Sequence, residues 1–120
     1  MRLRPETLKK YVELAKPILV RVAKNGTFIT YKKELMKEMR GPGRGHIGEV
    51  LEEVSDSEYE NGRPLLSALV VHKTGRLPGN GFWELRVLPP SLKNASMEEK
   101  KKRWEEEYKK AWEYWKKHDP

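Results

Sequence analysis

The sequence predicts an α+β fold: a core of three helices, a two-stranded antiparallel sheet and a long C-terminal helix. Apolar residues recur every three or four positions through most of the chain, as they do on the buried face of a helix. Two runs, 65–71 and 82–88, are rich in apolar residues, and the second alternates them with polar ones, as in strands. The length of 120 residues fits one compact unit of this kind.

The composition excludes several classes of protein. The chain has no cysteine, which excludes a disulfide scaffold, a thiol nucleophile, an iron–sulfur cluster and a cysteine-based zinc site. No apolar run approaches the roughly 20 residues that a membrane span needs, so we expect a soluble cytoplasmic protein. Sixteen Lys and sixteen Glu accompany only two Asp, and heavy use of Lys and Glu is typical of hyperthermophile proteins.

The positive charge lies in the first half of the chain. The formal net charge is +7, from 25 Lys and Arg against 18 Asp and Glu. Residues 1–50 hold 12 basic and 5 acidic side chains, whereas residues 51–120 hold 13 of each. A basic excess confined to one part of a chain is typical of nucleic-acid-binding surfaces.

Two helical pieces are predicted before the first β-prone stretch. Pro5 suits the first helical turn, which is where a missing backbone donor costs least. We expect this helix to break or kink near Lys16, because Pro17 lacks a backbone donor and clashes with the turn before it. The second piece ends at the Asn-Gly pair 25–26, which is a helix stop signal.

Two further helices flank a glycine-rich turn. After the β-prone stretch 27–29, Thr30 is a predicted N-cap for the helix from Tyr31 to Met39. Residues 41–45, Gly-Pro-Gly-Arg-Gly, are a turn by composition. The buried face of the next helix is marked by four apolar residues at helical spacing: Ile47, Val50, Leu51 and Val54.

The order of these elements, followed by strands 65–71 and 82–88, is that of a winged helix. In a helix-turn-helix protein, the second helix of the motif enters the major groove, and its first residues meet base edges. Here that helix would begin near Arg44, and the loop between the strands would form the wing tip. The predicted nucleic-acid-binding residues are Tyr31, Lys32, Lys33, Lys37, Arg40, Arg44, His46, Lys73 and Arg76. The same lysines could also be an ordinary solvated face.

A long helix is predicted after the sheet. Ser96 and Glu99 have the spacing of a capping box, and the helix would run from there to about Lys117. We therefore divide the chain into a winged-helix-like unit, 1–95, and a C-terminal amphipathic helix, 96–120. Glu-to-Lys pairs at four-residue spacing are predicted to support this helix: Glu105 with Lys109, and Glu106 with Lys110. Its aromatic stripe consists of Trp104, Tyr108, Trp112 and Trp115.

Two parts of the sequence resemble known protein families. The stretch Gly-Arg-Pro-Leu-Leu-Ser-Ala-Leu-Val-Val-His-Lys, 62–73, with Pro-Gly-Asn-Gly-Phe, 78–82, resembles a signature of small uncharacterised prokaryotic proteins. Residues 29–83 are similar in layout to the DNA-binding domain of alkylguanine-DNA alkyltransferases and alkyltransferase-like proteins. That second resemblance implies Tyr31 on a phosphate and Arg44 inserted toward the base stack of DNA. Val71 stands where those enzymes have the acceptor cysteine, so alkyl transfer to this protein is excluded.

The leading hypothesis is therefore a non-catalytic protein that binds nucleic acid, with double-stranded DNA favoured, and that has no metal site and no cofactor. A different class, a protein–protein adaptor or a subunit of a larger complex, would use the aromatic stripe as a docking surface or for a homodimer. Packing of that stripe on the core is the simpler reading. A minor alternative is a metal-dependent nuclease that uses Glu84 and His72. No membrane partner is expected.

Overall fold

The computed structural model describes residues 3–39, 46–73 and 76–118, apart from the side chains of Lys32, Lys33, Met36 and Asn80. The described elements are, in chain order, α1 (Pro5–Lys24), β1 (Ile29–Thr30), a π-helical turn (Tyr31–Leu35), α2 (Met36–Met39), α3 (Ile47–Glu60), a 3-10 turn (Leu66–Leu69), β2 (Val70–Val71), α4 (Asn80–Trp83), a second 3-10 turn (Pro90–Asn94) and α5 (Met97–Lys117). This mostly helical chain with a small sheet is compatible with the predicted α+β class.

Helix α1 is continuous, so the predicted break near Lys16 is wrong. Pro17 lies inside the helix and is exposed to solvent, as is Glu13 one turn before it. Because the carbonyl of Glu13 loses its helical partner on the solvent side, water can bind it and the helix need not end. The opposite face of α1 buries five residues against the core: Ala15, Leu19, Val20, Val22 and Ala23.

The sheet is a parallel pair. Ile29 of β1 lies opposite Val70 of β2, and Thr30 lies opposite Val71. All four residues are buried. The predicted antiparallel pairing of 65–71 with 82–88 is therefore wrong, because β2 pairs with the end of the β-prone stretch after α1. Most of the apolar run before β2 is a buried 3-10 turn, and a short apolar run does not by itself distinguish the two.

Residues 82–88 form no strand. Phe82 and Trp83 end α4, and the chain then turns twice: the Leu85 amide donates to the Phe82 carbonyl and the Leu88 amide to the Leu85 carbonyl. Phe82, Trp83, Leu85 and Leu88 are buried, which is not the alternation of a strand. The apparent alternation of polar and apolar residues concealed this pattern. The described residues therefore contain no wing of the predicted kind.

Helix α5 packs on the core through its aromatic stripe. Trp115 is 2% exposed, and Trp104, Tyr108 and Trp112 are half-buried. The ring of Phe28 enters this stripe, with its centroid 4.9 Å from that of Tyr108 and 5.2 Å from that of Trp112. Tyr108 contacts both apolar clusters, one around α1 and α3 and the other around Phe82 to Leu92. The stripe is thus largely covered within the chain.

The indole groups of α5 also hold the two strands. Trp112 Nε1 donates to the carbonyl of Thr27, two residues before β1, over 3.0 Å. Trp104 Nε1 donates to the carbonyl of Ala68, two residues before β2, over 2.8 Å. Since each bond satisfies a backbone acceptor beside the start of a strand, both strands are held in place against the same face of α5.

The predicted start of α5 is confirmed. The backbone amide of Glu99 donates to Ser96 Oγ over 3.2 Å, as in a capping box. Lys109 pairs with Glu105 over 2.7 Å, as predicted. The pairing of Lys110 differs: its ammonium lies 3.5 Å from a carboxylate oxygen of Glu107, the buried acidic residue on the same helix.

A buried carboxylate joins α1 to the end of α3. Glu58 is fully buried, and Arg63 donates to it through Nε over 2.6 Å and through a terminal nitrogen over 3.2 Å. The Lys16 ammonium lies 3.1 Å from the same carboxylate. Two cations therefore compensate the cost of removing this charge from water. Arg63 belongs to the signature stretch, so this part of the signature has a structural role.

No helix within the described ranges is long and apolar enough to cross a membrane.

Replacing Arg63 should destabilise the fold strongly. Arg63→Met would leave Glu58 with the Lys16 ammonium at 3.1 Å but without its arginine partner, and breaking a buried pair of this kind costs about 3 kcal/mol. The measurement is the free energy of unfolding in urea at neutral pH. The matched control is Arg21→Met, which breaks the exposed pair with Glu38 and should cost less than about 1 kcal/mol. Equal losses for both variants would contradict this account.

Candidate nucleic-acid interface

The parallel pairing brings Tyr31 and His72 together. Because both strands run in the same direction, the residues that follow them lie at the same edge of the sheet. Tyr31 follows β1 and His72 follows β2, and their ring centroids are 4.9 Å apart. Two segments far apart in the sequence thus meet at one place.

A backbone hydrogen bond closes this contact. The amide of Gly79 donates to the Tyr31 hydroxyl oxygen over 2.8 Å. A Cβ atom at Gly79 would lie 3.1 Å from that hydroxyl and 3.5 Å from His72 Nε2, so a side chain there would push the tyrosine hydroxyl by a few tenths of an ångström. The tyrosine O–H hydrogen remains available as a donor on this surface.

The loop from His72 to Gly79 has a constrained backbone. The His72 amide donates to the Leu77 carbonyl over 2.9 Å, which turns the chain back on itself. Arg76 has a φ of 54°, and it is the one residue other than glycine with positive φ among the residues described. This conformation is uncommon for arginine and costs free energy. The exposed guanidinium thus belongs to a residue with a strained backbone conformation.

The segment after β1 begins with a π-helical turn, a widened helix geometry that is frequent at functional sites. Its two acidic residues bind partners within the chain. One carboxylate oxygen of Glu34 accepts from both the amide and the hydroxyl of Thr30, at 3.1 and 3.0 Å. Glu38 accepts from Arg21 at 2.8 Å through each of its oxygens.

The structure brings some of the predicted binding residues together. Tyr31 lies against the 72–79 loop, and Lys73 and Arg76 are exposed on that loop. Lys37 is exposed on α2, while Lys32 and Lys33 are described only by their backbone, in the π-helical turn that starts at Tyr31. Arg40 and Arg44 lie outside the described residues. We call Tyr31, His72, Gly79, Lys73 and Arg76, together with the backbone of residues 32–33, the strand-end surface.

His46 is placed differently from the rest of the predicted set. It precedes α3, and its Nδ1 lies 3.8 Å from a carboxylate oxygen of Glu49, one turn along that helix. That carboxylate also accepts from the Leu3 amide, at 2.9 and 3.2 Å. His46 is therefore associated with the contact between α3 and the N-terminal segment.

Sequence reasoning had not assigned His72 and Gly79 to this surface. His72 had been considered as a catalytic partner of Glu84, but Glu84 ends α4 and pairs with Lys93 over 3.3 Å. The parallel register, which is not visible in the sequence, makes His72 a neighbour of Tyr31. No group of three or more His, Asp or Glu side chains suited to a metal ion occurs in the parts of the chain that are described.

Burial raises the pKa of the Tyr31 phenol above its ordinary value of 10.0, and the hydrogen bond from Gly79 offsets this only in part. The hydroxyl therefore stays protonated throughout the neutral range. It can act as a neutral hydrogen-bond donor there, while its high pKa makes it a poor nucleophile.

The ionisation of Tyr31 should make the protein less stable in alkali. The unfolded chain ionises near the ordinary tyrosine pKa and the folded chain at higher pH, so this contribution to stability is complete below about pH 10 and falls above it. The decline of unfolding free energy with pH should be shallower in Tyr31→Phe. The tyrosinate absorbance of the wild type minus that of the variant should rise only above pH 10. A difference that rises below pH 10 would contradict the assignment.

Comparisons of this chain with known protein families, with curated proteins and with solved structures gave no match, so the geometry of the site carries the functional argument.

Proposed function

We propose that this protein binds nucleic acid without catalysis, with double-stranded DNA favoured, through the strand-end surface. The observation that carries the proposal is the hydrogen bond from Gly79 to Tyr31. It ties the start of the lysine-rich segment after β1 to the loop with Lys73 and Arg76, so cations from both halves of the chain share one region. The proposal requires neither a wing nor the turn 41–45.

The groups of this surface suit phosphate. Lysine and arginine side chains neutralise phosphate oxygens, and a tyrosine hydroxyl is a frequent phosphate donor. Arg76 offers a planar guanidinium that can donate two parallel hydrogen bonds to one phosphate. Contacts of this type hold a protein on the nucleic-acid backbone but do not read the base sequence.

The two acidic residues near the lysines are compatible with phosphate binding. Glu34 and Glu38 lie in the same segment as the lysines, but their carboxylates bind Thr30 and Arg21. A carboxylate held in this way is fixed in position, so it does not swing toward an approaching phosphate. The remaining local charge is positive, which attracts a polyanion over about a Debye length.

The arrangement of aromatic rings favours a duplex over single strands. Unpaired bases bind to exposed aromatic faces that are arranged in series. Here the rings of Tyr31 and His72 pack on each other, and those of Trp104, Tyr108 and Trp112 pack around Phe28. The aromatic residues are thus largely engaged within the chain, which leaves few ring faces for unpaired bases.

Affinity for DNA should fall steeply with salt. If roughly five cations neutralise phosphates, the logarithm of the association constant should fall with the logarithm of salt concentration at a slope of about −5. Fluorescence anisotropy with a labelled duplex of about 20 base pairs measures this, since such a duplex exceeds the length that a small domain contacts. A labelled single strand of the same length should bind more weakly.

Removing the loop cations should reduce both affinity and salt dependence. The double variant Lys73→Gln, Arg76→Gln should change the slope by about 2 toward zero, because two phosphate contacts are lost. The matched control is Lys101→Gln, Lys102→Gln, which removes the same charge from two exposed positions on α5. A flat salt titration of the wild type, or equal effects of the two double variants, would contradict the proposal.

A further inference from the structure

A cleft lies along α5, and it shares no residue with the strand-end surface. Its volume is about 600 Å³. One wall is α5, and the other is formed by the end of α3 with the loop after it and by the turn at 87–88. The apolar part of its lining consists of Pro64, Leu65, Val87 and Leu88. A volume of this size and a mostly apolar lining are typical of small-molecule sites.

A line of polar side chains on α5 faces this cleft. Arg103, Glu107, Lys110, Tyr114 and Lys117 all line it, and they follow one another at spacings of four, three, four and three. Residues at these spacings lie on one face of a helix. The aromatic stripe lies on another face, against the core. The helix therefore presents one apolar face to the interior and one charged face to a concave surface.

The charge of the lining is weakly positive. Arg63 is bound to the buried Glu58, which leaves three cationic residues against two carboxylates: Arg103, Lys110 and Lys117 against Glu107 and Glu113. Glu107 is only 5% exposed, and two of these cations share it, with Arg103 at 3.0 Å and Lys110 at 3.5 Å. Lys117 lies 3.7 Å from the exposed Glu113. One carboxylate cannot use all three donors of a lysine, so each of these largely exposed ammonium groups keeps donors that an anion can accept from.

Two tyrosines add aromatic surface at the cleft. Tyr59 also lines it, and this side chain is 57% exposed, which is unusual for so large a ring. The ring of Tyr114 stacks on that of His118, with centroids 4.0 Å apart and planes inclined by 11°. This stacking limits the rotation of Tyr114 and holds it in place as one wall of the cleft.

We propose that this cleft binds a small organic anion with an apolar body, such as an aromatic carboxylate or sulfonate. The apolar part would contact Leu65, Val87 and Leu88, and the anionic group would bind Lys110 and Lys117. Charge complementarity selects an anion over a neutral or cationic ligand, and the apolar lining selects an organic anion over an inorganic one. This binding is independent of nucleic-acid binding.

The probe for the test is 8-anilinonaphthalene-1-sulfonate, whose fluorescence rises in an apolar site. The wild-type protein should bind one equivalent in a saturable titration, and inorganic phosphate at the same concentrations should not displace it. In Lys110→Gln, Lys117→Gln the affinity should fall about fivefold or more, because two charge contacts with the anionic group are lost. Both side chains are largely exposed, so this variant should retain the fold.

Two further variants make the test decisive. Val87→Trp places a large ring in the cleft without changing its charge, and it should abolish saturable binding. Lys101→Gln, Lys102→Gln removes two charges from α5 outside the cleft, and its affinity for the probe should stay within about twofold of wild type. No saturable binding by the wild type, unchanged binding in Val87→Trp, equal losses in the two lysine variants, or displacement by phosphate would each overturn the proposal.

Discussion

The parallel pairing of Ile29–Thr30 with Val70–Val71 is the constraint on which the candidate surface depends. A pair of two-residue strands has few backbone hydrogen bonds, so its geometry must be held by the rest of the chain. Burial of all four side chains supplies one part of that support. The indole groups of Trp104 and Trp112 supply another, because each donates a hydrogen bond to a backbone carbonyl just before one of the strands. Helix α5 therefore influences the strand-end surface indirectly, because it holds the backbone of the two strands that lead into that surface.

The sequence predicts much of the helical structure. The buried spacing of Ile47, Val50, Leu51 and Val54 locates α3, and the Ser96 capping box locates the start of α5. Two errors have a common physical origin, since local patterns do not report what surrounds a segment. Pro17 is tolerated because its side of α1 meets solvent. Residues 82–88 form turns although polar and apolar residues nearly alternate there, because that alternation does not show whether a partner strand is present.

The candidate surface is predictable only in part. The lysine-rich start of the predicted helix Tyr31–Met39 and the cations at 73 and 76 are visible in the sequence, and so is Tyr31 as a candidate phosphate contact. Their proximity follows from a long-range register, which depends on the docking of α5 and on the room left at Gly79. The structural role of Arg63 in the signature stretch could not be predicted either, because only the fold shows that the buried Glu58 lies beside it.

The long sequence separation of these contacts also bears on the stage of folding at which the strand-end surface can form. Tyr31 and Gly79 are 48 positions apart, and Trp112 and Thr27 are 85 apart. Contacts between residues so far apart in the sequence tend to form late in folding, because closing a long loop costs entropy before the contact stabilises the chain. A nascent chain that has emerged only as far as α4 contains every residue of the strand-end surface, yet it lacks the indole bonds that position both strands. The assembled surface therefore requires that α5 has been synthesised and has docked beside the two strands.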